Sequence, residues 1–402
     1  MVRKARITNE PLDRKVEFAG LMTADDPFEV GFDGFVIADN VDMRRQKKVT
    51  RRPGRVDTGY TAGGVIHSAY ADKNIFIFQE GTELKRFISA TDTPVLRSGL
   101  TAGGRLSAQR IAGRVYWSNT TENGVIDSNG NERELGVTPP VRTVGSTISG
   151  NLGAGRYLYT FTNVESDGRE SGALDPTVVE VPENSGLSFT FSAGLARRFY
   201  ITEENGQELY LAAEVLAGET TLVYRNRQPR TAIPCDRLLM SPLPAWTAID
   251  WYRAVLMIAV GDNVEWSQPF DYELRDQAMN YLHFGEPVEV IASLRDGFYV
   301  GTDSGIYWYT GSNMAELDMT QVADYGSIRG TKTHVNGAVV GNGESTERIP
   351  IWSTQRGIVM GLPGGSLRNL HENKVDFPGG LQGTALYRNA DRQNHYITRV
   401  LS

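Results

Sequence analysis

The chain has 402 residues, enough for two or three domains at roughly one to two hundred residues each. Its 41 lysines and arginines against 48 acids leave a formal net charge of −7, which argues against a dedicated duplex-binding protein. The single cysteine, Cys235, excludes an internal disulfide framework and any cysteine-based zinc cluster.

Forty-three glycines and 9% aromatic residues favour short strands and tight turns over long helices. At 40% hydrophobic, the chain has the material for proper cores. The first residues, Met1 to Arg6, are basic but no apolar h-region follows, so no secretory signal is expected. The longest apolar run, Ala254 to Val260, is far short of the ~20 residues a membrane-spanning helix needs. A soluble protein made in a cytosol is the expectation.

Taken along the chain, the first marked feature is a basic strip. Asn40-Val41-Asp42-Met43 leads into the segment Arg44 to Arg55, in which seven of twelve residues are basic: Arg44, Arg45, Lys47, Lys48, Arg51, Arg52 and Arg55. Clustered lysine and arginine release counterions from a nucleic-acid backbone. No aromatic residues interleave to stack bases, so such a contact would be sequence-independent. The same charges also suit a solvated hairpin or a salt-bridged subunit contact.

Beyond the strip, apolar strands alternate with glycine turns. Val115-Tyr116-Trp117-Ser118 precedes Asn123-Gly124-Val125-Ile126. Asp127-Ser128-Asn129-Gly130-Asn131 then carries side-chain oxygens suited to calcium, but the bidentate glutamate at loop position twelve is missing, so it reads as a hairpin tip.

Thr138-Pro139-Pro140 marks a boundary, after which the texture changes. Gly155 to Phe161 alternates with aromatics on one face; Thr177 to Val181, Leu187 to Phe191, Arg197 to Thr202, Leu209 to Ala213 and Thr220 to Tyr224 follow. About six or seven strands in some ninety residues suit an immunoglobulin-like sandwich. The order is similar to a fibronectin type III module, with its turn at Gly168 to Ser171 and a strand ending near Asn205-Gly206.

Strand–turn–strand text resumes at Trp246 to Val260, which ends at Gly261-Asp262-Asn263. Asp271 to Met279 is the one short helix expected. Phe298 to Thr302, Ile306 to Tyr309, and Ile351-Trp352-Ser353 with Gly357 to Val359 are further strands. Units at 264, 306 and 351 lie roughly 40 to 45 residues apart, the period of a four-stranded propeller blade. One such small sheet cannot bury its faces alone, whereas several packed around an axis can. The expected fold is therefore all-β: a β-propeller with an inserted immunoglobulin-like β-sandwich. The expected domains are an arm and first blades over 1–138, the sandwich over 139–230, and remaining blades over 231–402. A set of hairpins in one large sandwich is the alternative.

The candidate chemistry is sparse. The histidines, His67, His283, His334, His371 and His395, show no ligand spacing. No Walker loop or G-x-S-x-G elbow is present; Gly301 to Gly305 has its serine one place off. The pairs Asp25-Asp26 and Glu203-Glu204 have the residue types of glycosidase carboxylates, but neither falls on a recognisable blade axis. No catalytic, cofactor-binding or metal site is expected. Trp246, Trp251 and Trp308 are candidates for a sugar-stacking cleft, with core packing as the plainer reading.

The Asn40 to Asp42 and Arg51 to Gly54 text near the start of a blade-rich chain resembles the tail nozzle family of short-tailed bacteriophages, also called tail tubular protein B or the DNA-stabilisation protein. Gly297 to Tyr309 and Ile351 to Ile358 look like the family's recurring blade text. The resemblance covers 40 to 140 and 245 to 402. It implies a propeller-based virion structural subunit, six copies in a ring below a tail adaptor, with genome DNA passing through the lumen and tail fibre or tip proteins attached. It implies no enzyme activity, no cofactor, no membrane insertion of its own, and assembly in the host cytoplasm. The seven basic residues would then face DNA or a neighbouring subunit. A tail-tip role, or a glycan-binding or glycoside-active propeller, is the alternative function.

Overall fold

The computed structural model describes residues 20–23, 34–37, 41–43, 49–51, 57–72, 74–225, 230–339, 347–371, 375, 377, 379–390 and 393–401. Among them the regular structure is β throughout, apart from two short 3-10 turns. Five four-stranded antiparallel sheets carry most of it, each with its strands in chain order from one edge to the other. Sheet 1 holds Ile66–Ala71, Phe76–Glu80, Glu83–Arg86 and Val95–Arg97; sheet 2 holds Ser107–Ile111, Arg114–Ser118, Asn123–Ile126 and Glu132–Arg133. Sheet 3 holds Ala248–Tyr252, Val255–Val260, Asn263–Trp266 and Tyr281–His283; sheet 4 holds Val288–Ser293, Phe298–Thr302, Ile306–Asn313 and Glu316–Ala323. Sheet 5 holds Thr333–Asn336, Arg348–Thr354, Gly357–Gly361 and Leu367–Asn369. A terminal hairpin pairs Gln382–Ala390 with Gln393–Leu401.

Sheets 2, 3 and 4 are each buried on both faces, and the five sheets stack in chain order. Ile77 and Leu84 of sheet 1 meet Val115, Trp117 and Ile126 of sheet 2. Ile111, Tyr116 and Val125 of sheet 2 meet Ile249, Leu256 and Ile258 of sheet 3. Met257, Val264 and Trp266 of sheet 3 meet Ile291, Phe298 and Val300 of sheet 4. Tyr299 and Trp308 of sheet 4 meet Ile351, Trp352 and Val359 of sheet 5, against which Tyr387 and Tyr396 of the terminal hairpin also pack. The period-two side-chain alternation of a strand supplies both neighbours at once. The result is a propeller-like stack of small antiparallel sheets.

Successive sheets without the insertion begin 40 to 45 residues apart, at residues 66 and 107, then 248, 288 and 333. The motif positions that suggested this period are not equivalent, however. The strand at Val264 and that at Ile306 are third strands of their sheets, whereas that at Ile351 is a second strand. The local text of apolar strand, turn and aromatic strand recurs at two different strand junctions.

Between sheets 2 and 3 the chain builds a sandwich. One sheet has Ser146–Leu152, Ser185–Thr190 and Thr221–Tyr224; the other has Gly155–Val164, Thr177–Val181, Ala196–Ile201, Tyr210–Val215 and Arg230–Pro234. That makes eight strands against an expected six or seven. Tyr159, Phe161, Phe189 and Phe199 form its centre, with ring centroids 4.9 to 6.3 Å apart. Such edge-to-face and tilted pairs add to the area they bury. Gly172 sits where the sandwich touches the returning chain: a Cβ there would lie 1.9 Å from the Met240 carbonyl oxygen.

The helix expected over Asp271 to Met279 is a correction. Leu274–Asp276 is a strand paired with Met240–Pro242, and Leu274 is buried. Sheet pairing and burial override the weak local preference for helix.

Trp352 has none of its surface exposed and donates from Nε1 to Ser327 Oγ at 3.0 Å. Trp352→Ala is expected to cost about 3–5 kcal/mol in urea unfolding, the range for truncating a buried aromatic residue.

Candidate functional site

The first strands of the sheets lie side by side: Ala248–Tyr252 packs against both Ser107–Ile111 and Val288–Ser293. Where they converge, the side chains are charged instead of apolar. Asp250, on the first strand of sheet 3, is buried. Its Oδ2 lies 3.0 Å from Lys332 Nζ and 3.5 Å from His334 Nε2, both from sheet 5 or its entry, and accepts from Ser293 N of sheet 4 at 2.9 Å. Its Oδ1 accepts from Trp251 N at 2.8 Å. Lys332 also donates to the Ile249 carbonyl at 2.7 Å.

Nearby in the same sheets, Arg329 makes a bidentate pair with Glu289, at 2.5 and 2.6 Å. Arg105, at the entry to sheet 2, donates to the Gly330 carbonyl at 3.1 Å. Burial and the neighbouring Arg329 lower the Arg105 pKa to about 10. Tyr70 in sheet 1 lies within charge range of Arg348 in sheet 5 and of Arg110 in sheet 2.

Burial alone would raise the Asp250 carboxyl, but Lys332 and His334 outweigh it and hold the group below its usual range. Burial pulls Lys332 down, against the opposing pull of Asp250. Burial also dominates at His334, helped by the Lys332 and Arg348 charges and resisted by Asp250, and lowers its pKa from 6.5 to about 4. Asp250 and Glu289 are buried while the Lys332 and Arg329 side chains keep part of their surface in solvent, and the charges link three sheets together.

A second charged region joins the sandwich to the stack. Glu273 accepts from Arg133 of sheet 2, from Gly136 N at 2.9 Å, and from Arg169 of the sandwich at 3.4 Å. Glu170 of the sandwich accepts from Arg198 at 2.5 Å, Tyr200 at 2.7 Å and Thr162 at 2.5 Å, and lies 3.7 Å from Arg237. Arg237 reaches on to Asp271 at 3.0 Å. Burial pushes the Glu273 carboxyl up, and its arginine partners and Gly136 N more than reverse this. A cavity of about 420 Å³ opens between these groups, walled by sheet 2, the sandwich and the 270–274 segment.

The residues singled out from sequence fall in different places. Arg44, Arg45, Lys47, Lys48, Arg52 and Arg55 lie outside the described residues, as do Asn40 and the Asp25-Asp26 pair. Arg51 ends the strand Val49–Arg51, its backbone in register with Val41. Trp246 and Trp308 are core residues, 1% and 5% exposed, whereas Trp251 is 42% exposed with Nε1 3.4 Å from the Tyr272 hydroxyl. Asp127 spends its carboxylate on its own turn, accepting from Asn129 N, Asn131 N and Asn131 Nδ2. The histidines stay apart: His67, His283, His334 and His395 sit on four separate strands and His371 in the segment after Leu367–Asn369, and the described residues hold no cluster of three metal-type ligands. Asp250, Lys332, Glu170 and Glu273 were not singled out as site residues from the sequence, and His334 was noted only as a histidine without ligand spacing. Lys332 precedes and His334 lies on the strand Thr333–Asn336, and an acidic residue inside the apolar Trp246 to Val260 run was the available signal.

No protein-family model and no curated protein matches the chain. Among solved structures, the computationally designed Ika8 protein overlaps 77% of this chain and 88% of its own at 13% identity and a TM-score of 0.26. A protein from Lactobacillus plantarum overlaps 81% and 87% at 11% identity and a TM-score of 0.32. AztD from Citrobacter koseri overlaps 76% and 86% at 11% identity and a TM-score of 0.25. Likeness at this level carries no functional assignment.

Removing one member of the Asp250 cluster strands a buried charge. Lys332→Met is expected to cost about 3–5 kcal/mol, and the double variant Asp250→Asn/Lys332→Met to regain most of it, both read by urea unfolding. The histidine gives a pH signature. Between 6.5 and about 4 the unfolded chain takes up a proton at His334 that the folded chain refuses, so stability is full above that window and falls as pH falls through it. The loss across the window is about 3 kcal/mol. His334→Gln is expected to remove that part of the acid slope, measured by denaturation from pH 7 to 4.

Proposed function

We propose that the chain is a structural subunit of a bacteriophage tail, of the nozzle type, acting by shape and electrostatics and not by catalysis. In the finer reading, the five sheets are blades of a propeller, the terminal hairpin stands against the fifth blade, and the 146–234 sandwich is an immunoglobulin-like insertion. Its subunits form a ring, hexameric by the family resemblance, around a channel through which genome DNA passes. A tail adaptor binds above, and fibre or tip proteins bind below.

The observation that carries this reading is how the charged side chains are used. Asp250, Glu289, Glu170 and Glu273 are each held by cations, Asp250 and Glu273 also by backbone N–H groups and Glu170 also by hydroxyls. Groups committed in this way brace a body; they are not poised to move protons or attack a substrate. A sandwich clamped into a break between two sheets gives a rigid projecting module, which suits a subunit that must hold neighbours on several sides. The acidic excess suits a lumen along which DNA slides, with the 44–55 strip at a subunit contact or a DNA-gripping constriction.

Two measurements test the reading. Sedimentation velocity across a concentration range is expected to show a defined oligomer, and mass spectrometry is expected to find the protein in purified virions. A monomer at every concentration that is also absent from particles contradicts the proposal. Reversal of Arg44, Arg45, Lys47 and Lys48 to glutamate is expected to impair assembly while leaving the thermal unfolding of the subunit unchanged. Normal assembly of that variant into intact particles removes the functional role of the strip.

A further inference from the structure

The junction cavity has a second character besides its ion pairs. Of the charged groups on its walls, Glu170, Asp271 and Glu273 are already held by arginines. Arg114 is not: its side chain is exposed, it faces the Tyr116 hydroxyl, and none of the ion pairs among the described residues uses it. The mouth is aromatic. Phe270 is 82% exposed and sits at a φ of 62°, in the left-handed region that bulky residues avoid. Tyr272 lines the cavity beside it, and the exposed Trp251 touches Tyr272. A cation hydrogen-bonded to Tyr116 but outside the ion pairs of the described residues, flat apolar faces and a wall of carboxylate acceptors and guanidinium donors therefore surround about 420 Å³, within the usual range for a small-ligand site.

We propose that this cleft binds one carboxylated sugar ring, the uronic-acid type of unit found in acidic polysaccharides. Arg114 pairs with the carboxylate, a charge-assisted contact whose forked geometry suits that group. Phe270 covers one face of the ring, where the C–H groups lie. The ring hydroxyls exchange hydrogen bonds with the outward-facing edges of Asp271 and Arg169. The site belongs to the junction, because sheet 2 supplies Arg114, the sandwich supplies Arg169, and the segment before the Leu274 strand supplies Phe270 and Asp271. It is independent of ring assembly, so this proposal and the tail reading stand or fall separately.

The test is a calorimetric or NMR titration of the full chain with D-glucuronate, with D-glucose and acetate as partial probes. Saturable glucuronate binding is expected, weaker by about tenfold or more for glucose, which lacks the charge, and for acetate, which lacks the ring. Arg114→Ala is expected to weaken glucuronate about tenfold and to leave glucose unchanged; Phe270→Ala is expected to weaken both sugars. Both side chains are exposed, and an unchanged thermal unfolding curve establishes that each variant is folded. No saturable glucuronate binding, acetate binding as tight as glucuronate, or indifference to Arg114→Ala would each overturn the proposal.

Discussion

At the centre of the stacked sheets one carboxylate is shared by three of them. Asp250 projects from sheet 3, takes a backbone N–H from the end of the first strand of sheet 4, and meets the ammonium and imidazole of Lys332 and His334 at sheet 5. A buried carboxylate without partners is costly, and its partners here lie on different sheets. The relative placement of those sheets is therefore specified, not merely tolerated. Apolar packing between flat faces is less discriminating, since one slipped strand pair still buries methyl groups. The Glu289–Arg329 fork does the same job for sheet 4 and the entry to sheet 5. Hydrophobic faces supply the stabilising area of this protein, and the buried charges between sheets fix its geometry.

The same logic governs the junction. Inserting a sandwich between two sheets of a stack risks a loose appendage, because linkers usually permit domain motion. Here Gly172 lets the sandwich approach the Met240 backbone, and Glu170 and Glu273 tie three units with arginines. Those contacts convert an insertion into part of the body. They also leave a cleft whose walls come from every unit at the junction, the usual place for a binding site. A tail subunit with such a cleft would join a mechanical role to recognition of an acidic glycan.

The all-β character and the alternation of short strands with glycine turns were legible in the sequence because strand periodicity is local. The change of texture at Thr138 to Pro140 was legible for the same reason, and the sandwich strands run from Ser146 to Pro234. The spacing of the small sheets was legible, but its phase was not: second and third strands carry the same apolar and aromatic text, so Val264 and Ile351 looked alike while holding different places. The stretch around Leu274 misled because its helix-forming side chains say nothing of Met240–Pro242, the distant strand it pairs with. The charged sites were the least legible. Asp250 and Lys332 are 82 positions apart, Arg133 and Glu273 are 140 apart, and only the folded chain makes neighbours of them. Trp251 shows the limit from the other side, since alternation along Ala248–Tyr252 did not reveal which tryptophans stay outside.

The central functional claim is that the body braced in this way is a ring-forming structural subunit. A low-resolution electron-microscopy image of the purified protein tests it most directly. The account predicts closed rings with a central channel, their subunits each showing a disc-like body and a projecting module. Isolated single particles at every concentration, with no ring or partial ring, would contradict it.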